Sequence, residues 1–319
     1  APSSIRDLFP SLSLDEEADL LAPSGYFDEI LDHIRRDGDA EDAEYAQSLG
    51  PATLHLAKYW ADTTQSPLPD VLRDMRTNRS AWTNRYNNYA YAALYVLRRS
   101  GIRKYYSGWD TFVLLAGGNI RYLLELVHQS IVRHLDAEHA LSRAVSPRDQ
   151  TLAAQGVGKK YLTELEGIAE EGGRLTKLLL GLGRVFQVLA NRPQGHSPEI
   201  NQFNITSGTG AGANGHSDVD KLLRAAVMYL ALVRSAGTKQ LTEADTREYD
   251  YMVHPIYSPF FVFSHRRKRK MEILPAQLMS FIDRPQESIR EVLDGFRAQP
   301  SEPLPEQMAL FQGFYNGGD

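Results

Sequence analysis

The chain has 319 residues, no cysteine and a formal net charge of −5. That length predicts about two domains. The missing thiols exclude disulfides and thiolate metal sites and fit a cytoplasmic protein. The acidic balance excludes a general basic coat for nucleic acid and leaves only local patches to carry such contacts. No run reaches the eighteen or so apolar residues of a membrane span. The first residues, Ala1 to Phe9, lack the basic and apolar regions of a signal peptide. A first residue other than Met fits a processed chain or a piece of a longer protein.

Helical periodicity dominates the first 190 residues. Ser24 precedes an apolar stripe from Tyr26 to Ile34, with Gly38 as its stop. Residues 39–49 are acidic and read as surface. A second helix is predicted from Pro51 to Thr64, burying Leu54, Ala57 and Trp60, and Pro67 and Pro69 break it. The spacing then predicts a long helix from Trp82 to Arg99, with Tyr86, Tyr89, Ala93, Val96 and Leu97 on one face. Another runs from Ile120 to His134, with Leu123, Leu124, Val127 and Ile131 inward. Ser146-Pro147 with Asp149 makes a compact helix start leading to about Gly167, and Leu175 to Leu189 is a strongly apolar helix.

From Arg192 to Ser217 the composition turns to Gly, Pro, Asn and Ser, interrupted by a short strand at Ile200–Ile205. Asp218 or Asp220 caps a helix to about Ser235. Tyr251 to Ser264 is aromatic and β-branched and reads as two strands, continued at Met271 to Leu274. Two short helices are predicted at 275–283 and 286–297. The tail from Pro300 reads as loosely held, with Leu310, Phe311 and Phe314 available to dock. No repeat of 20–50 residues stands out.

Two stretches carry chemistry. The first runs from Tyr105-Tyr106-Ser107-Gly108-Trp109-Asp110 through Gly117-Gly118-Asn119-Ile120-Arg121 into an amphipathic helix. An arginine at a helix start is aimed by the helix, and a planar fork held in one direction suits a phosphate; a solvated or ion-paired arginine is the plain alternative. The second is His265-Arg266-Arg267-Lys268-Arg269-Lys270, a basic run following the aromatic strands. On a β-hairpin it would touch a phosphate backbone as a wing does; edge protection and a nuclear-localisation signal remain open.

Other patterns fail their chemistry. Gly156-Val157-Gly158-Lys159-Lys160 lacks the first glycine and the final Ser or Thr of a phosphate loop and sits in a helical pattern. Gly210 to Gly215 matches the letters of a dinucleotide fingerprint, but its polar flanks make it a loop. The nine histidines show no zinc spacing, no catalytic residue is assigned, and the tyrosines at 86–95 read as core rather than a base-stacking platform.

The stretch 105–127 resembles the lid of ORC/Cdc6-like AAA+ ATPases, where Gly-Asn-x-Arg opens a lid helix. The resemblance implies that Arg121 senses the terminal phosphate of ATP and that Gly118 and Asn119 shape the turn that aims it. It extends to the region of a bacterial member of that group beyond its Walker-containing core. It implies a mainly α fold: a helical lid-like domain at 1–145, a winged-helix-like α+β domain with a small β-hairpin or sheet at 146–299, and a tail at 300–319. Arg266, Arg267, Lys268, Arg269 and Lys270 would contact DNA. ATP and magnesium would be held by an AAA+ core outside this chain, with neighbouring subunits in an oligomer and no membrane. Such proteins act in replication initiation, transposition and phage defence. The rival expectation is a protein-interaction module whose basic run binds an acidic partner.

Overall fold

A computed structural model describes residues 2–99, 101–137, 139–168, 170–191, 199–206, 213–236, 249–298, 304 and 306–316, with backbone alone at 213–217, 306 and 316. The class is mainly α with one four-stranded mixed sheet. The chain forms two compact units: Ser11–Tyr105 with Asn191–Pro198, and Ala1–Pro10, Tyr106–Ala190 and Glu199–Asp319 together. The residue 145 boundary expected from sequence lies inside the second of these.

After a single turn at Ile5–Leu8 (α1), the all-helical unit contains α2 (Leu14–Leu21), α3 (Tyr26–Asp37), α4 (Ala40–Gln47), α5 (Pro51–Thr64), α6 (Leu68–Thr77) and α7 (Arg79–Ala93). Capping explains the two helices that periodicity does not reveal. Ser13 and Glu16 form a capping box on α2, and Asp39 and Asp42 form one on α4, so the acidic stretch 39–49 is largely helix. Pro67 ends nothing permanently: Leu68 and Pro69 occupy the first turn of α6, where a missing donor costs little. Ile34, Leu56, Ala57, Leu72 and Trp82 are buried in one core. The ring of Trp60 stands edge-on to Trp82 at 5.4 Å. The predicted helix to Arg99 stops at Ala93 and tightens into a 3₁₀ turn at Leu94–Val96, which swings Val96 to the surface.

The second unit holds α8 (Trp109–Ala116), α9 (Ile120–Asp136), α10 (Pro147–Glu166) and α11 (Gly172–Asn191). Its strands and remaining helices follow: β1 (Ile200–Ile205), α12 (Ala213–Met228), β2 (Leu232–Ala236), β3 (Tyr249–Val253), α13 (Ser258–Phe261), β4 (Arg269–Ile273), α14 (Pro275–Asp283), α15 (Pro285–Gly295) and α16 (Gln312–Asn316). α11 is buried on nearly every side, which marks a central core helix. The sheet order is β2-β3-β1-β4: β3 runs antiparallel to β1 and to β2, while β4 runs parallel to β1 with Phe203 opposite Met271.

Three expectations change here. Tyr251–Ser264 is not two strands: β3 ends at Val253, and Pro255 and Pro259 each sit in the first turn of a short helical segment, Pro255–Tyr257 and α13. The expected hairpin is therefore a parallel pairing between β1 and β4. The helix predicted to Ser235 ends at Met228, and Leu232–Ala236 is the strand β2. The inward face of α9 is Tyr122, Leu126, Ser130 and His134, one residue round from the predicted stripe, and Leu124 is exposed. The tail docks through Phe311, whose ring lies 5.9 Å from Phe260, and through Tyr315, which donates to the Leu180 carbonyl at 3.1 Å. Of the Gly210 to Gly215 stretch, residues 210–212 lie outside the described residues.

Candidate functional site

The segment before the arginine is tied down by its backbone. The Tyr106 N–H donates to Thr151 Oγ1 at 2.9 Å and the Gly108 N–H to Gln150 Oε1 at 2.7 Å, both from the buried face of α10. The Tyr106 hydroxyl donates to the Phe263 carbonyl at 2.6 Å. α8 then ends at Gly117 (φ 56°) and Gly118 (φ 85°), two successive left-handed residues that glycine adopts without strain. Asn119 is the N-cap of α9, and its Oδ1 accepts from the Arg121 N–H at 3.0 Å.

Beneath this turn lies His254, at the end of β3. A β-carbon on Gly117 would come within 2.7 Å of its Nε2, so only glycine fits. The imidazole is 1% exposed, its Nδ1 accepts from the Ile256 N–H at 3.2 Å, and burial pushes its pKa down to about 4. The ring is neutral at pH 7, with its proton on Nε2. Tyr122 packs edge-on against it at 5.3 Å and lies 4.3 Å from Tyr161, and burial raises both phenols.

The Arg121 side chain is 71% exposed and leans 3.5 Å from Glu164 Oε2, with its guanidinium 5.8 Å from the Tyr161 ring centre. A pair of that length and exposure holds loosely and exchanges for a better acceptor at little cost. One turn on, Lys160 donates to Glu125 at 2.7 Å and holds that carboxyl below its usual range. Val113, Leu114, Ile120 and Leu124, at 44%, 46%, 67% and 62% exposed, surround the turn with apolar surface.

The basic run sits on the loop between α13 and β4 and on β4 itself, at the sheet edge. Asn201 on β1 moulds it: Nδ2 donates to the Ser264 and Arg266 carbonyls at 2.6 and 2.7 Å, and Oδ1 accepts from the Lys268 N–H at 2.9 Å. Gln202 Nε2 donates to the Lys268 carbonyl, and the Arg269 N–H to the Glu199 carbonyl. The five cations then divide. Lys268 lies 3.6 Å from Glu199 and Lys270 lies 2.9 Å from Asp250. Arg266, Arg267 and Arg269 are exposed, and the last two make no ion pair among the described residues. Glu164, Tyr161, His254 and Asn201 had no sequence signal of their own; each matters through a partner distant in the chain.

Gly156-Val157-Gly158 lies inside α10, where a β-carbon on Gly158 would stand 2.9 Å from the Ile256 carbonyl. That glycine serves close packing and cradles no phosphate. Among the described residues no group of three or more acidic or histidine side chains could hold a metal ion, and no helix is long and apolar enough to cross a membrane.

A family match, rather than the fold, relates the chain to AAA+ ATPases. Residues 1–273 match ORC-CDC6-like, and the chain belongs to that family. No curated protein and no solved structure matches it.

Proposed function

We propose that this chain is the regulatory, DNA-contacting portion of an AAA+ ATPase, in which Arg121 reads the terminal phosphate of a nucleotide held by an AAA+ core outside the chain. The observation that carries this reading is the aim and freedom of Arg121 together. Gly118 and Asn119 fix where α9 begins, and Arg121 leaves that start exposed, beside Glu164 at 3.5 Å and the Tyr161 ring at 5.8 Å.

The described residues fit one such contact and not a whole nucleotide site, since the glycine–lysine run at 156–160 lies within α10. ATP with its magnesium, when bound, supplies a γ-phosphate whose loss distinguishes two states. Arg121 supplies charge-assisted donors that are satisfied in one state and return to Glu164 in the other. Arg266, Arg267, Lys268, Arg269 and Lys270 form the nucleic-acid contact of this reading. Arg267 and Arg269 carry most of it, because Lys268 and Lys270 already face carboxylates.

The protein, joined to its core, is expected to prefer ATP over ADP, and Arg121→Ala to reduce that preference by about ten- to a hundredfold with ADP binding unchanged. An unchanged preference, or turnover of ATP by this chain alone, sinks the reading. The rival reading, a protein-interaction module in an oligomeric complex, draws on the exposed Val113, Leu114, Ile120 and Leu124, whose surface suits a protein neighbour. It predicts that Arg121→Ala leaves nucleotide preference alone while Ile120→Asp dissociates the assembly.

A further inference from the structure

Between Asp74 and Asp110 the chain holds no acidic residue, yet it carries Arg76, Arg79, Arg85, Arg98, Arg99, Arg103 and Lys104. In a protein that is acidic overall, so long a stretch of one sign calls for a partner. Part of it is explained within the helical unit. Arg76 pairs with Asp42 at 2.8 Å and with Glu41 at 2.6 Å, and Arg85 pairs with Asp74 at 3.0 Å with its guanidinium 4.6 Å from the ring centres of both Trp60 and Trp82. Lys104 is buried, with its ammonium 5.6 and 5.2 Å from the ring centres of Tyr91 and Tyr95.

Arg79, Arg98 and Arg99 are different. All three are exposed and make no ion pair among the described residues. Arg79 begins α7, and Arg98 and Arg99 follow its 3₁₀ extension, where Arg99 and Ile102 bridge through paired backbone hydrogen bonds of 3.2 and 3.1 Å. Between them α7 divides sharply. Trp82, Ala90 and Ala93 face the core, with Tyr86 and Tyr89 packed beside them. Ser80, Thr83, Asn84, Asn87, Asn88 and Tyr91 are exposed and fall within one outward face at helical spacing.

A solvated helix face ordinarily mixes both signs of charge. This face has none of its own, only hydroxyls, amides and a tyrosine ring, and arginines stand at its two ends. Ser80 to Tyr91 spans about 16 Å of helix at 1.5 Å per residue, the axial length of four to five nucleotides at about 3.4 Å each. Arginine with Asn, Ser, Thr and Tyr is the set that grips phosphates and sugars without reading sequence.

We infer that the outward face of α7, with Arg79 at one end and Arg98 and Arg99 at the other, is a nucleic-acid backbone-binding surface. It is separate in residues from the basic run at 265–270 and does not depend on the sensing role of Arg121. The three arginines neutralise phosphates, Asn84 and Asn87 donate amide hydrogens between them, and Tyr91, 38% exposed with Lys104 behind it, offers a ring on which an unpaired base stacks.

The test is fluorescence anisotropy with a labelled duplex and a labelled single strand of equal length, titrated between about 50 and 200 mM salt. Replacing Arg79, Arg98 and Arg99 together by Gln is expected to weaken duplex binding at least tenfold at the low-salt end. It should also flatten the log–log salt slope by about 2 to 3, at close to 0.9 per lost phosphate contact. The thermal midpoint should stay at the wild-type value, because all three side chains are exposed. Arg98→Lys with Arg99→Lys keeps the charge and should keep the slope. Tyr91→Ala should weaken the single strand by roughly tenfold and the duplex little.

Arg267→Gln with Arg269→Gln, measured in parallel, separates this inference from the proposed function. A wild-type slope in the α7 variant, with binding lost only in the 267/269 variant, overturns the inference and leaves the other standing. Loss in the α7 variant alone does the reverse. If the α7 variant loses affinity for polyglutamate and not for either nucleic acid, the surface belongs to an acidic protein and the inference is wrong.

Discussion

In the helical unit, Arg73 and Arg76 close on Asp42 at 2.9 and 2.8 Å, and the carboxylate they share is fully buried. At the start of α9, Arg121 stands 3.5 Å from a half-exposed Glu164. Both are arginine–carboxylate pairs between helices, and both come from amphipathic stretches that look alike in sequence. What separates them is the carboxylate. A buried Asp42, which also caps α4, cannot lose its partners without leaving a charge out of water. Glu164 can turn to solvent. The depth of the acid decides whether the arginine is part of the framework or free to meet something else.

That difference is breakable first at Asp42. Asp42→Ala removes the shared acceptor and the N3 member of a capping box, and should cost about 3 kcal/mol. A denaturation midpoint within error of wild type would erase the distinction.

The second probe is the ground beneath Arg121. His254 takes a second ring proton only below about pH 4, whereas an unfolded histidine takes it near 6.5. The unfolded state therefore binds the extra proton first. The stability contribution is complete above about pH 6.5 and lost as pH falls toward 4, by about 1.4 kcal/mol per unit and ~3 kcal/mol in all. His55, lowered by burial as well, adds to the slope, so the quantity to read is the difference between wild type and His254→Gln in urea midpoints across that window. Parallel curves would show that His254 is not buried neutral beneath the turn.

The smallest effect belongs to Glu164. Glu164→Gln should change stability by under about 1 kcal/mol, since the pair is exposed and long. A loss as large as that at Asp42 would mean that Arg121 is structural after all.

Much of the helical scaffold was legible because caps and prolines act locally. Ser146 accepts from the Asp149 N–H at 3.0 Å with Pro147 in the first turn, and Pro51–Thr64 begins and ends at the residues its composition marks. The basic run and the glycine turn were visible as letters. Their geometry was not, because it depends on residues far along the chain. Asn201 shapes the loop at 264–268 from β1, and His254 supports Gly117 from the end of β3. Aromatic and β-branched content pointed to strands at 255–261, but full burial there favours any apolar segment, and the prolines set helical turns instead. The error on α9 has a similar source. Leucines at 123 and 124 outvote Tyr122, Ser130 and His134 in a hydrophobic count, yet Ser130 satisfies its hydroxyl on the Leu126 carbonyl and is buried.

The first ten residues belong to the sheet-bearing unit although ninety-five others intervene before its next segment begins. The Trp109 N–H bonds to the Phe9 carbonyl, and the Val145 N–H to that of Leu8. During synthesis, then, this strip of chain waits for its partners until residues 109 to 112 have emerged, and for Val145 longer still, while the helical insert between can already close on itself. The ring of Phe9, 1% exposed in the finished protein, is uncovered for the first of those waits. Its late capture, a long-range loop closure, is the kind of step that sets a folding rate.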